Sequence, residues 1–181
     1  MTETRGRMAG TGVQPASAPV LTTERLILRK ITFMDVEPLL RIWGDPVAME
    51  HYPKTLDREG MEGWIARQLK RYAEDGVGIW AMLRKGSQEL IGDCGLAWQD
   101  VEGKREMEIG YHVRADQWGH GYALEAATAC EQYALANKLA ERVVIIIRPK
   151  NMNSRRVAEK LGFKLEKEIF FHGYDHFLYA R

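Results

Sequence analysis

Cysteine is scarce in this chain. Cys94 and Cys130 are the two it has in 181 residues, and they stand at no metal-type or redox-type spacing. That excludes a disulfide framework and points to two reduced, buried thiols in a cytoplasmic protein. Long apolar runs are also missing, so no membrane span is expected. A charge bias is missing as well: 26 basic residues face 25 acidic ones for a net charge of +1. Nothing in that balance pulls the chain as a whole towards nucleic acid or an acidic membrane, and neither is expected as a partner. Residues 1–19 lack an apolar segment of signal-peptide length, although Ala16-Ser17-Ala18 mimics a cleavage site. They are small, polar and rich in Gly and Pro, which predicts a disordered tail ahead of a single domain over 20–181.

What is present is periodic. "ERLILRKI" (24–31) reads as a strand and "TFMDVEPLLRIWGD" (32–45) as a short helix. After an irregular stretch with two prolines (46–60), Met61, Trp64, Ile65, Leu69 and Tyr72 mark an amphipathic helix that stops at Gly76. Segments 78–85, 90–100 and 105–113 read as strands joined by short polar turns, an antiparallel meander. In the third, Met107, Ile109, Tyr111 and Val113 alternate with Glu108, Gly110 and His112. A helix over 121–137 carries a stripe of small residues: Ala123, Ala126, Ala127, Cys130 and Ala134. "RVVIIIR" (142–148) is the pattern of a strand buried on both faces, ended by Pro149. A short helix (153–162) and two strands around His172-Gly173 complete an α+β order. The crossover from 105–113 to 142–148 contains a helix, so those two strands can run parallel.

"QWGHGYA" (117–123) follows a strand and opens a helix. Gly119 and Gly121 remove side chains where unpaired helix N–H groups would face a pyrophosphate. A plain strand-to-helix turn explains the same glycines. A Walker loop is excluded because Tyr122-Ala123 follow where Lys-Ser/Thr is required. A dinucleotide fingerprint is excluded by Leu124 and by the meander that precedes the loop. His172 and His176 lie four apart but across a hairpin turn, and no metal site is expected there.

Four segments in order, "LTTERLILRK", "EIGYHV", "WGHGYALEA" and "NMNSRRVAEKLGF", resemble the GNAT superfamily of acetyl-CoA-dependent N-acetyltransferases. Within it they resemble the ribosomal-protein-alanine acetyltransferase (Rim-type) branch. The resemblance spans residues 21–163 and implies a mixed, mostly antiparallel, twisted sheet with helices on both faces. It also implies that strands 105–113 and 142–148 splay at their C-terminal ends and admit the pantetheine arm of acetyl-CoA. The backbone around Tyr111, His112 and Val113 would pair with that arm. The loop Trp118-Gly119-His120-Gly121-Tyr122-Ala123 would hold the pyrophosphate through the amides from His120 to Ala123. Asn151 would bond the pantetheine or acetyl end. Trp118 stands where many relatives have Arg or Gln, and Ala158 where many have a tyrosine that protonates the thiolate. Ser154 is then the candidate acid or sulfur-orienting donor, against a simple role at the helix start.

The implied reaction is direct attack of a primary amine, on a protein N-terminus or a small molecule, on the thioester in a ternary complex. An α-amine has a pKa of about 7.8 and a lysine about 10.4, so the acceptor must lose a proton before it attacks. Glu108 is the candidate base, against a structural pairing with Arg105 or Arg84. Trp43, Tyr52 and Trp64 come from the region that the resemblance makes a wall of the acceptor cleft, although core packing also suits the two tryptophans. A non-catalytic acyl-CoA-binding sensor or interaction module on the same fold is the alternative. Dimers are common among look-alikes, and the sequence leaves open whether this chain is a homodimer.

Overall fold

The alternation along the central strands sorts apolar side chains onto two opposite sheet faces, and the helices cover both. A computed structural model describes residues 17–181. Eight strands and four α-helices run in the order β1 (Pro19–Thr22), β2 (Leu26–Lys30), α1 (Val36–Trp43), α2 (Arg58–Glu74), β3 (Ile79–Arg84), β4 (Leu90–Val101), β5 (Lys104–Val113), α3 (Tyr122–Ala136), β6 (Val143–Ile147), α4 (Met152–Lys160), β7 (Lys164–Phe171) and β8 (Tyr174–Ala180). They form one sheet with strand order β1-β2-β3-β4-β5-β6-β8-β7. All neighbours are antiparallel except β5 and β6.

In β3 the side chains divide by parity. Ile79, Ala81 and Leu83 pack under α1 and α2, with Val36, Leu39, Ile42, Met61 and Ile65. Trp80 and Met82 point the other way, into the core that α3 closes with Ala126, Ala127, Cys130 and Ala134. The small stripe lets α3 approach the sheet closely, as expected. Strand β6 feeds both sides: Val143, Ile145 and Ile147 join the α3 core, while Val144 packs with Val101, Ile169 and Leu178. Burying each of the Val, Leu, Ile and Met side chains among these stabilises the fold by about 1.5–3 kcal/mol.

Several element boundaries differ from the sequence expectation. The expected disordered tail lies outside the described residues up to Ala16; of the remainder, the Ser17 hydroxyl donates to Lys30 O at 2.7 Å and Pro19 begins β1. The stretch 32–45, expected as one short helix with Thr32 or Asp35 near its start, opens with a 3-10 turn over Phe33–Asp35 capped by Thr32, and Asp35 is the N-cap of α1. Thr32 caps that turn while the Asp35 side chain accepts from the Thr32 N–H at 2.8 Å, a reciprocal arrangement that re-aims the chain before α1. Asp35 is itself clamped by Arg29, at 2.7 and 2.8 Å.

The feature that positions the site is the short β5–β6 pairing. Their parallel register holds at Met107 with Val143 and at Glu108 with Val144, and extends no further. Beyond it β6 keeps pairing with β8 through Ile147, and β5 keeps pairing with β4 through Val113. The two strands part company, and one edge of each is left without a strand neighbour.

Candidate active site

Two clefts open where β5 and β6 separate. The larger, of about 400 Å³, runs between the end of β5, the loop into α3 and the first turns of α4. Its walls include Tyr111, His112, Val113, Trp118, Gly119, Gly121, Tyr122, Ala123, Asn151 and Ser154. All the expected cofactor-binding residues are therefore brought together except His120. The His120 ring turns back on its own loop: Nδ1 lies 3.2 Å from Gln117 O and 3.0 Å from Trp118 O, and the ring stacks on Tyr122. Arg156 and Lys160 also border this cleft, two cations on α4 that the sequence reading did not single out.

The loop is built for backbone exposure. Gly119 and Gly121 have φ of +80° and +79°, a region that other residues enter at a cost. Gly121 is the N-cap of α3, with no side chain over the helix N-terminus, and a Cβ added at Gly119 would meet nothing within 4 Å. Open amides and the positive end of a helix face the cleft. Trp118 donates its indole N–H to Val113 O at 2.7 Å and ties the loop to the end of β5. Arg25 reaches across from the start of β2, donating to His120 O at 2.9 Å and pairing with Glu125 at 2.6 Å. The "LTTERL" and "ALEA" segments are thus two halves of one brace.

Asn151 caps α4, accepting from the Ser154 N–H at 3.0 Å. Because Asn151 does the capping, the Ser154 hydroxyl is free of it and lies 2.9 Å from the Tyr111 hydroxyl. Ser154 O also lies 3.1 Å from the phenol; when Tyr111 gives its one proton to Ser154 Oγ instead, the serine proton is able to turn towards a third group. Burial pushes the Tyr111 phenol well above its ordinary ionisation range. Ala158 is fully buried in the core.

The second cleft, of about 210 Å³, lies on the other side of the opening. Trp43, Tyr52, Trp64, Arg71, Gln99 and Glu108 line it. Trp43 and Trp64 are buried and packed at 4.9 Å, as core residues are, and they also border this pocket. The structural pairing considered for Glu108 is absent. Arg105 pairs with Asp75 at 3.0 Å and Arg84 with Glu89 at 3.0 Å. Glu108 instead accepts from Gln99 at 2.6 Å. Burial pushes its pKa above the ordinary glutamate value, against opposing pulls from Gln99, Arg71, His112 and the Ile146 N–H.

Four side chains border both clefts: Tyr52, Tyr111, His112 and Ser154. His112 was expected to matter through its backbone alone. Its ring is held at both nitrogens, with Nδ1 2.7 Å from Asp93 Oδ1 and Nε2 2.6 Å from the Tyr52 hydroxyl. Asp93 is fully buried and takes a second bond from Trp43 Nε1 at 2.8 Å. Asp93 was missed because nothing local marks it: "LIGDCGLAW" reads as a buried strand with one polar exception. That exception, a charge in a run otherwise suited to burial, was the available signal. Among the described residues, no group of three or more His, Cys, Asp or Glu could hold a metal ion. No described helix is long and apolar enough to cross a membrane.

Known proteins share this fold. A family model described as "Acetyltransferase (GNAT) domain" matches residues 25–164. "Uncharacterized protein YkkB" of Bacillus subtilis (strain 168) is 34% identical over 150 residues, covering 82% of this chain and 87% of that protein. "Uncharacterized N-acetyltransferase p20" of Bacillus licheniformis is 30% identical over 148 residues, covering 81% and 83%. Among solved structures, the fold is similar to RimL, a ribosomal L7/L12 α-N-protein acetyltransferase in complex with coenzyme A. The TM-score is 0.75 at 19% identity, over 91% of this chain and 97% of that one.

Proposed function

The chain belongs to the GNAT acetyltransferase family, and from that premise we propose that it moves an acetyl group from acetyl-CoA to a primary amine by direct attack in a ternary complex. The observation that carries this reading is the meeting of two clefts at one opening between β5 and β6, bordered by Tyr52, Tyr111, His112 and Ser154. One cleft suits a long phosphorylated carrier and the other a small amine.

The larger cleft fits the carrier on three counts. The β5 edge beyond Glu108 has no strand partner and offers peptide groups to the pantetheine amides. The glycines of the loop expose the N-terminus of α3 to the pyrophosphate. Arg156 and Lys160 add positive charge along the wall. The RimL structure in complex with coenzyme A lends support as a likeness of fold. Acetyl-CoA supplies the activated acetyl group; the protein supplies position and proton handling.

Glu108 stands on the acceptor side, where it holds the incoming ammonium and takes its first proton, directly or through one water. The Ser154 hydroxyl, oriented by Tyr111, donates a hydrogen bond towards the sulfur at the junction. Two aromatic walls, Trp43 and Trp64, and the single guanidinium of Arg71 shape the pocket for the rest of the acceptor.

The test is direct. The protein is mixed with acetyl-CoA and a panel of amines that includes N-terminal peptides, amino acids and polyamines. Free thiol is followed by absorbance, and acetylated products are identified by mass spectrometry. Amine-dependent thiol release is the expected result. Tight binding of coenzyme A with no release across the panel would instead make the protein an acyl-CoA-binding sensor.

A further inference from the structure

An ammonium acceptor gives up two protons in this reaction, one to the sulfur and one to solvent. Glu108 accounts for the first, which makes the amine a nucleophile. The second sits on nitrogen while the C–N bond forms and needs its own acceptor. The junction of the two clefts holds one that the proposed function does not use.

The side chains bordering both clefts fall into two hydrogen-bonded pairs. Tyr111 and Ser154 make one, at 2.9 Å; Tyr52 and His112 make the other, at 2.6 Å. The first pair ends at a backbone carbonyl, Ser154 O. The second continues into the protein through His112 Nδ1 to Asp93 Oδ1 at 2.7 Å. With the imidazole neutral, hydrogen-bond chemistry sets the direction of this chain. The Trp43 indole can only donate, so Asp93 Oδ2 accepts from it at 2.8 Å. Asp93 Oδ1 then accepts from the imidazole Nδ1–H, which leaves a lone pair on Nε2 to accept from the Tyr52 hydroxyl. Trp43 also packs against the imidazole, with ring centroids 4.2 Å apart, and Tyr52 covers its other contact at 5.1 Å. The ring is held in one orientation, and the tautomer is set by a carboxylate with no access to water.

We infer that Asp93, His112 and Tyr52 form a proton shuttle between the attacking nitrogen and the departing sulfur. This rests on the acetyl transfer proposed above. As the C–N bond forms, the nitrogen's second proton moves to the Tyr52 oxygen while the phenol's own proton passes to His112 Nε2. The imidazolium so formed faces the Asp93 carboxylate. As the C–S bond breaks and the electron pair stays on sulfur, the proton returns through the Tyr52 hydroxyl to the thiolate. One proton has gone to solvent by way of Glu108 and one to sulfur, so charge and atoms balance. Tyr52 is the catalytic residue of the three, because its hydroxyl takes the proton from nitrogen and delivers one to sulfur; His112 acts through it, and Asp93 is a positioning residue.

The experiment uses the full chain and the best amine from the thiol-release panel. Tyr52→Phe is the decisive variant, since it keeps the ring, and Tyr52 is 41% exposed, so folding is spared. His112→Gln and Asp93→Asn accompany it. Single-turnover rates are measured in H2O/D2O mixtures, with coenzyme A affinity from calorimetry. The expected result is a fall in the acetyl-transfer rate of about 100-fold for Tyr52→Phe and for His112→Gln, with coenzyme A affinity unchanged. The curved proton inventory of the native protein, reporting two protons in flight, becomes linear in Tyr52→Phe. Asp93→Asn, which reverses the tautomer preference, lowers the rate by about 10-fold or more, again without loss of coenzyme A binding. A Tyr52→Phe rate within about threefold of the native one, or a native inventory that is already linear, overturns the shuttle while leaving acetyl transfer intact. Absence of thiol release from the native protein overturns the proposed function itself, so the two failures are told apart.

Discussion

Thr23 and Glu125, 102 residues apart in the chain, meet at 2.5 Å. The Arg25 N–H and guanidinium complete the contact at 2.8 and 2.6 Å, and the same guanidinium reaches His120 O. One carboxylate on the first turn of α3 thus fastens the glycine-bearing loop ahead of α3 to the start of β2. Burial alone would raise its pKa, but the bonds from Thr23 and Arg25 outweigh that and hold Glu125 below the usual glutamate value. Glu125→Ala is expected to cost about 1–3 kcal/mol and to raise the acetyl-CoA KM several-fold. The pH signature has a definite sign. A carboxylate with a depressed folded pKa contributes stability above its unfolded pKa and loses it as pH falls through the folded one. Urea titrations of native and variant proteins should therefore begin to converge as the pH falls below the ordinary glutamate value of about 4.3.

Gly121→Val forces a β-branched residue to φ +79° and places its side chain where the α3 N-terminus opens, 3.6 Å from an Arg25 nitrogen at the Cβ. Strain of about 1–3 kcal/mol is expected in stability. Coenzyme A binding should fall by more than that strain explains, because the amides are covered. Calorimetry beside thermal melting separates the two, and unaltered affinity would remove the loop from the binding site.

Glu108→Gln should behave in opposite ways in two assays. Burial raises the folded pKa, so between the unfolded value and the raised one the folded protein binds more protons and stability falls as pH rises. Removing that charge is neutral or stabilising at pH 7 in chemical denaturation. In turnover the same variant should lose about 10–100-fold at neutral pH and recover as pH approaches the pKa of the amine. A loss that is flat with pH would demote Glu108 to a structural role.

Trp118→Phe removes the donor to Val113 O and keeps most of the ring. The expected cost is about 1 kcal/mol, with a modest rise in the acetyl-CoA KM and no change in the rate at saturation. A fall in kcat instead would show that Trp118 acts on the chemistry as well as on the loop.

The readable parts of this molecule are those whose signal is local. Five β-branched residues in "RVVIIIR" mark a strand buried on both faces, and the alternation from Met107 to Val113 marks its neighbour, because periodicity and burial are one property. The glycines at 119 and 121 were legible because positive φ is a single-residue demand. The β1 strand was not: Pro19–Thr22 is too short for a pattern and acquires its identity by pairing with β2. Nor was the 3-10 turn at Phe33, which depends on Thr32 and Asp35 bonding each other rather than on helix propensity. Tyr52, Asp93 and His112 come from three separate segments, and no spacing rule connects them. Their assembly follows from the pairing of Asp93 with His112 across β4 and β5, a register that side-chain pattern alone does not number. Likewise, the freedom of Ser154 from capping became visible only once Asn151 was seen to do that work.

The two-rung contact between β5 and β6 divides the sheet into a five-strand leaf and a three-strand leaf, with a hydrogen-bonded seam of minimal length between them. A carrier molecule lying in that seam would act as a ninth strand, stitching one leaf to the other. The mechanical cohesion of the protein would thereby be linked to its loading, and amide hydrogen exchange along Ile109–Val113 and Ile145–Ile147 should slow most when the seam is filled.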